Sequence, residues 1–386
     1  ALGAWGGRVI ELFVCFCQLG VCAIFFDFVS TNLNAVFPAV SPQSFIILIT
    51  PFCMGMAMIR EAKGLVLFSS VASILIGVAL LFVFMFMLHY MGGDLRTEAV
   101  RMYGDVNRLP MVFGNLAFAF EGIGLVLPIE SAMEDSKRHR FPATLTTAMS
   151  TVGLLFFLNG MLSYMALGRI ENASITAELG NRGVAAGTLT MLNTLASLAV
   201  LLTYPLQFLP PIQILEKLAG LDEATASAAK TTAAASSLEN TSLIQMVPMA
   251  SSDQDSATDR ADADSSQVRI EALSDGAVPR QRFKRDFSTK RNMWIPFRIM
   301  WVLLTAACAF CIPELGLLIS LVGSLASTTL GLILPPIIHY RLCGSGYKPF
   351  EYVLHASLVC LGICGGSLGF LSSLWELLQT SPGFAR

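Results

Sequence analysis

Charge is what this chain has least of. Asp, Glu, Lys and Arg make up 13% of its 386 residues against 54% apolar, and histidine occurs four times. Soluble domains carry about 25% charged residues, so a soluble fold is excluded. A formal net charge of -2 leaves no broad basic face to meet a phosphate backbone, and no nucleic-acid partner is expected. His89, His139, His339 and His355 fall near the ends of apolar runs or in polar loops, and neither HExxH nor a paired-Asp motif occurs. Hydrolysis or acyl transfer inside a membrane needs a nucleophile with a base, or a metal. The chain is therefore not expected to be an enzyme, nor to hold a metal or cofactor.

Cysteine is absent from the loops assigned below to the outer side, so no extracellular disulfide is expected. Of nine cysteines, Cys15, Cys17, Cys22, Cys53, Cys308, Cys311, Cys360 and Cys364 lie inside apolar runs, with Cys343 just beyond one. Cys308 and Cys311 form a CxxC. Without a second pair or a histidine nearby it reads as packing and not as a zinc or redox site.

What is present is long apolar sequence. The mean hydropathy is +0.65, and runs long enough to cross about 30 Å of hydrocarbon recur. The pattern predicts an all-α polytopic membrane protein with about nine transmembrane helices, at 9–37, 44–59, 65–91, 113–130, 141–167, 187–214, 294–312, 315–340 and 352–378. Three parts follow: 1–219 with six spans, 220–293 as a loop, and 294–386 with three more. Residues 220–279 are rich in Ala, Ser, Thr and Asp with almost no aromatics, and cannot bury enough surface to order themselves. The loop ends in Arg280, Arg282, Lys284, Arg285, Lys290 and Arg291 before Trp294. Such a cluster either attracts anionic lipid, at about 1 kcal/mol per charge, or simply sets topology. Counting basic residues places Arg8, the Arg60/Lys63 turn, 136–140 (SKRHR), the 280–291 cluster and Arg341/Lys348 in the cytoplasm, with 38–43, 89–110 and 168–185 outside. Asn172-Ala173-Ser174, in the last of these, is a glycosylation sequon. The chain starts at Ala1 with no flanking hydrophilic tail and reads as a fragment.

The fourth span breaks the pattern. It carries Glu121 beside Gly122 and Gly124 at membrane depth. A carboxylate near the bilayer centre costs roughly 2.5 to 3.5 kcal/mol on insertion scales and by default has a task. Two glycines weaken the helix at the same point, and broken helices at this depth line wet cavities in many transporters. A kinked helix whose Glu is satisfied by a neighbour is the plainer alternative. A break after Phe120 leaves the carbonyls of Phe118, Ala119 and Phe120 to face a substrate ammonium, and the N–H groups of 122–125 to face negative charge. Glu121 is then the proton-carrier candidate. Asn193, Thr194 and Ser197 add polar groups along the 187–214 span, where hydrogen bonding between helices explains them as well as a site does. The spacing of Gly362/Gly366 and Gly365/Gly369 permits close helix packing in the last span.

Several of these stretches resemble one family. FAFEGIG followed by VLPIE, within 113–130, resembles the sixth transmembrane helix of the proton-coupled branch of the amino acid/auxin permease family, whose pattern runs FAFEGIG-x-VLPLEN; Ser131 stands where that family commonly has Asn. QLGVCAIFFDFVSTN resembles its third helix, with Gln18, Leu19, Gly20, Cys22 and Asn32 matching and Phe25 in place of a frequent Tyr. Asp27 is an additional acid there, either interfacial or in a cavity. TYPLQF resembles the eighth helix, and IPELGLLISLVGSLASTTLGLILPPI the ninth-to-tenth region.

The resemblance implies a five-plus-five inverted-repeat transporter fold that here lacks its first two helices. It implies a secondary active, proton-coupled transporter for amino acids; the alternative is an amino-acid-sensing membrane protein that binds without concentrating. Partners are then an amino acid, a proton and the lipid bilayer, in the plasma membrane or an acidic organelle such as a vacuole or lysosome. The expected proton-coupling residue is Glu121. Expected substrate contacts are Phe118, Ala119, Phe120, Gly122 and Gly124 at the break, with Gln18, Cys22, Phe25, Asn193 and Ser324 from other helices.

Overall fold

The computed structural model describes residues 3–59, 62–91, 100–101, 104–122, 126, 130, 133–170, 172–182, 184–221, 293–312, 314–343 and 349–380, with 62–66, 181, 343 and 380 described by backbone alone. The loop expected at 220–293 lies almost wholly outside the described residues, as does Gly124. Every described element is helical.

Among the described residues, seven helices are long and apolar enough to span a bilayer. These are α1 (Gly3–Val36), α3 (Ala62–His89, apolar from Leu67), α5 (Phe141–Leu167), α7 (Ala186–Leu218), α8 (Trp294–Cys311), α9 (Leu315–Leu342) and α10 (Pro349–Thr380). The other two expected spans are shorter elements. α2 (Pro42–Ala57) has 16 residues, and α4 (Leu109–Ala119) stops after 11 at the predicted break. A single helical turn, α6 (Ile175–Glu178), lies between α5 and α7. Residues Leu215–Phe297 cluster as a separate unit, of which the described part is the end of α7 and the start of α8.

Burial separates inner from outer helices. The most apolar window of α9 is 56% buried and those of α1 and α7 are 44%, against 6% for α5 and 17% for α10. Exposed Leu67, Ile74, Phe157 and Trp375 on the outer helices are the apolar surface a membrane protein offers to lipid tails.

Local chemistry sets several helix ends. α2 opens on Ser41, whose hydroxyl accepts from the Ser44 N–H, with Pro42 in the first turn. It ends under the buried guanidinium of Arg298, which donates to the carbonyls of Ala57 at 2.8 Å and Ile59 at 3.1 Å. A cation at a helix C-terminus satisfies orphan carbonyls and complements the helix dipole. The middle of α9, Gly323–Ser327 and Thr329–Ile333, is wound as π-helix, and the Thr328 hydroxyl donates to Gly323 O five residues back. Such widened turns concentrate at functional sites.

Glycine lets α4 cross its neighbours. A Cβ on Gly114 would lie 2.7 Å from Ser320 O, and one on Gly323 would overlap Gly114 O, so neither position admits a side chain. The two α10 stripes divide their work: Gly362 and Gly366 face α9 at Ile333 and Thr328, while Gly365 and Gly369 face α4 at Phe113 and Pro110. Ser373 Oγ donates to Ser320 Oγ at 2.7 Å and Ser320 Oγ donates to Met111 O at 3.2 Å, tying α10, α9 and α4. Such bonds average about 0.6 kcal/mol each in a membrane protein, so close packing carries more of the seam than they do.

Two apolar clusters complete the core. Cys17 and Ile24 of α1 pack with Leu315, Leu318, Val322, Ala326 and Leu330 of α9, and Phe118 of α4 leans on the same cluster. Val83 and Met87 of α3 pack with Leu162, Ala166 and Leu167 of α5, Leu179, and Leu192 of α7.

Candidate functional site at the break in α4

α4 ends where the glycines of the sequence predict. Phe120 caps it with φ -98° and ψ 9°, and its N–H reaches Leu116 O and Phe118 O. The Glu121 N–H also donates to Phe118 O at 3.0 Å. The Phe118 carbonyl closes the terminal turn. The carbonyls of Ala119 and Phe120 are the ones this turn does not use. The opening N–H groups of the second half-helix, at 123–125, lie outside the described residues.

Past the turn, Glu121 is partly buried and lies within hydrogen-bonding reach of Cys17 on α1. Cys17 is wholly buried, and its Sγ is 3.6 Å from Ser327 Oγ in the π-wound part of α9. The break of α4 thus meets the middle of α1 at this carboxyl, and Cys17 links it in turn to the widened middle of α9. Gln18, next to Cys17, is 1% exposed, and its side-chain oxygen accepts no hydrogen bond among the described residues. Neither Cys17 nor Ser327 stands out in sequence. Cys17 reads as packing within an apolar run, and Ser327 is one of several hydroxyls in SLASTT; the signal that marks them is the π-helix, which has no sequence signature.

The other expected residues spread over different seams. Phe118 packs on the α1–α9 cluster and meets Gly323, while Phe120 turns outward to an edge-on contact with Phe156 of α5, centroids 5.9 Å apart. Ala119 is exposed and Gly122 is partly buried, with open space where a Cβ would stand. Cys22 is fully buried beside Cys53 of α2 and Tyr204 of α7, and Phe25 is half-buried. Ser324 donates to Ser320 O at 2.6 Å and packs against Gly366 and Gly369 of α10.

Asn193 belongs to a polar clasp around α6. Asn32, near the end of α1, accepts through Oδ1 from Ser174 Oγ at 2.8 Å and Thr176 Oγ1 at 2.9 Å, and Asn193 Nδ2 donates to Thr176 O at 3.1 Å. Glu178 and Arg182, both nearly buried, pair at 2.6 Å. Arg182 also donates to Leu167 O and Arg169 O. Burial alone would push the Glu178 carboxyl up, but hydrogen bonds from Arg182 and Asn172 hold it below its ordinary 4.5. The sequon is part of this clasp: Asn172 Nδ2 donates to Glu178 Oε2 at 2.8 Å and Ser174 is buried.

The family model described as "Transmembrane amino acid transporter protein" matches residues 1–379. The chain belongs to that family, the amino acid/auxin permeases. It is 28% identical over 223 residues to "Vacuolar amino acid transporter 4" of Saccharomyces cerevisiae, covering 55% of this chain and 31% of the relative. It is 28% identical over 184 residues to "Amino acid transporter ANT1" of Arabidopsis thaliana, covering 47% of this chain and 42% of the relative. The matched stretches therefore span less than half of either relative's length. No solved structure matches the chain.

Proposed function

We propose that this permease is a secondary active transporter of amino acids driven by a proton gradient, with Glu121 as the proton carrier. The observation that carries the reading is the Glu121 carboxyl at the α4 break within reach of Cys17 of α1, which itself meets Ser327 of the π-wound α9. Family membership and two relatives named as amino acid transporters support the cargo class. The Ala119 and Phe120 carbonyls, at the negative end of a half-helix, suit a substrate ammonium. Glu121, one residue on, alternates between a neutral and a charged form, so its proton can be exchanged in step with substrate occupancy. Gln18, with its buried unpartnered oxygen, offers a second polar contact from α1.

The test is Glu121→Gln in the full-length protein, which keeps shape and fixes the group neutral. Accumulation driven by a pH gradient is lost while substrate exchange persists. Undiminished gradient-driven accumulation would overturn the assignment. Concentrative uptake by the wild type separates a transporter from a sensor, which binds without concentrating. Imaging of the tagged protein in its own cells decides between an acidic organelle, as in the name of the yeast relative, and the plasma membrane.

A further inference from the structure

Asp27 is a second acid inside a membrane-spanning helix, and nothing above uses it. It lies in α1, 1% exposed within the protein, and both carboxyl oxygens accept no hydrogen bond among the described residues. A buried carboxylate without a partner is costly, and intramembrane acids of this kind mark ion pathways.

Two cross-links place what lies opposite. Phe26, the preceding residue, meets Tyr204 of α7 edge-on with centroids 5.7 Å apart. Five residues after Asp27, Asn32 bonds Thr176, whose carbonyl accepts from Asn193 of α7. Asp27 therefore sits between these links on α1, and between their partners on α7 sits Ser197. Ser197 lies two turns before Tyr204, on the stripe that faces α1. It is 4% exposed, and its hydroxyl too has no hydrogen-bond partner among the described residues. On its other side Asp27 follows Ile24 by one turn, and Ile24 packs on Leu315 and Leu318 of α9. Glu314, exposed at the start of α9, is the charged group that acts on Asp27. α2 contributes Cys53 and α7 contributes Tyr204 as titratable groups beside Cys22 on the same helix as Asp27, and beyond Asn32 Glu178 pairs with Arg182.

We infer that Asp27, with the Ser197 hydroxyl on the α1-facing stripe of α7, forms a second cation-binding site, for a proton or a sodium ion, separate from Glu121. Two carboxyl oxygens and a hydroxyl provide the donor set, and the exposed Glu314 adds negative charge at the approach. A monovalent cation there neutralises a charge that the protein otherwise leaves uncompensated, and it bonds α1 to α7 at the level of the α6 clasp.

The test reads ion binding on the purified full-length protein, so it stands or falls apart from the transport reading and from Glu121. Infrared difference spectra on acidification report protonated carboxyls, and melting midpoints in sodium against choline at fixed pH report sodium. For a proton, wild type shows a carboxyl band that is lost in Asp27→Asn, kept in Glu121→Gln and shifted in Ser197→Ala. For sodium, the wild-type rise in midpoint is lost in Asp27→Asn, and half-saturation in Ser197→Ala moves up about tenfold, as expected for one lost bond to a charged partner. Identical bands and identical sodium responses in wild type and Asp27→Asn overturn the site. Should Asp27→Asn fail to fold, Ser197→Ala decides: a wild-type response in both readouts overturns it equally.

Discussion

Glu121 is defined by its neighbours more than by its depth. Cys17 reaches it from α1, and Ser327 of α9 in turn meets Cys17; both side chains are small. We expect Cys17→Ala and Ser327→Ala to express normally and to move the pH midpoint of uptake, because each alters the hydrogen bonding around a titrating carboxyl. Uptake measured across pH checks this, and a profile superimposable on wild type in both variants would separate these residues from proton coupling. Ser324, one turn before Ser327, faces α10 and bonds within its own helix. Ser324→Ala should leave that midpoint where it is.

Among the elements, the α4 crossing and the α6 clasp make opposite demands. The crossing needs the absence of side chains. Gly323→Val puts two methyls where Gly114 O and Phe118 already stand; overpacking of this kind costs about 1 to 3 kcal/mol, and backbone on the far side gives little room to relax. The thermal midpoint of the detergent-solubilised variant should fall clearly, whereas Gly187→Ala, with nothing within 4 Å, should match wild type.

The clasp needs charge. Glu178 has its carboxyl held below 4.5 by Arg182 and Asn172 despite its burial. A depressed carboxyl stabilises the folded form above its unfolded value, and that contribution is lost as pH falls below about 4.5 through the lower folded value. Hydrogen exchange of amides 172–182 should therefore be slow at neutral pH and accelerate below pH about 4. Glu178→Gln should show the fast exchange already at neutral pH, since removing one partner of a buried pair costs roughly 3 kcal/mol or more. Equal protection in the variant would contradict the clasp. Because Asn172 and Ser174 are engaged in it, glycosidase treatment of the cell-expressed protein should leave its mobility unchanged.

For the whole molecule, the orientation follows from basic residues and can be read directly. Lys137 lies in the cationic turn between α4 and α5, and Ala173 in the clasp; both are exposed. With Lys137→Cys and Ala173→Cys, an impermeant thiol reagent applied to intact cells is expected to label position 173 alone and to reach 137 after permeabilisation. The reverse pattern would invert the topology.

Membrane class, the seven long spans, the break beside Glu121 and the family were legible in the sequence, because each depends on local quantities. Apolar length decides insertion, glycine beside an acid decides where a helix fails, and FAFEGIG is a contiguous string. The glycine spacing of α10 likewise foretold close packing, since GxxxG is a property of one helix face. What only the tertiary structure decided is which polar groups meet. Cys17 and Ser327 are 310 residues apart and come together because α9 widens into π-helix opposite α1. Asn193 and the sequon, each readable alone as a site, are drawn into one clasp by contacts across three helices. Asp27, interfacial or in a cavity with equal warrant from sequence, is enclosed by the side chains packed around α1. Hydrogen bonds and burial are pairwise and non-local, so a chain read one residue at a time names the candidates while the packing of its helices selects among them.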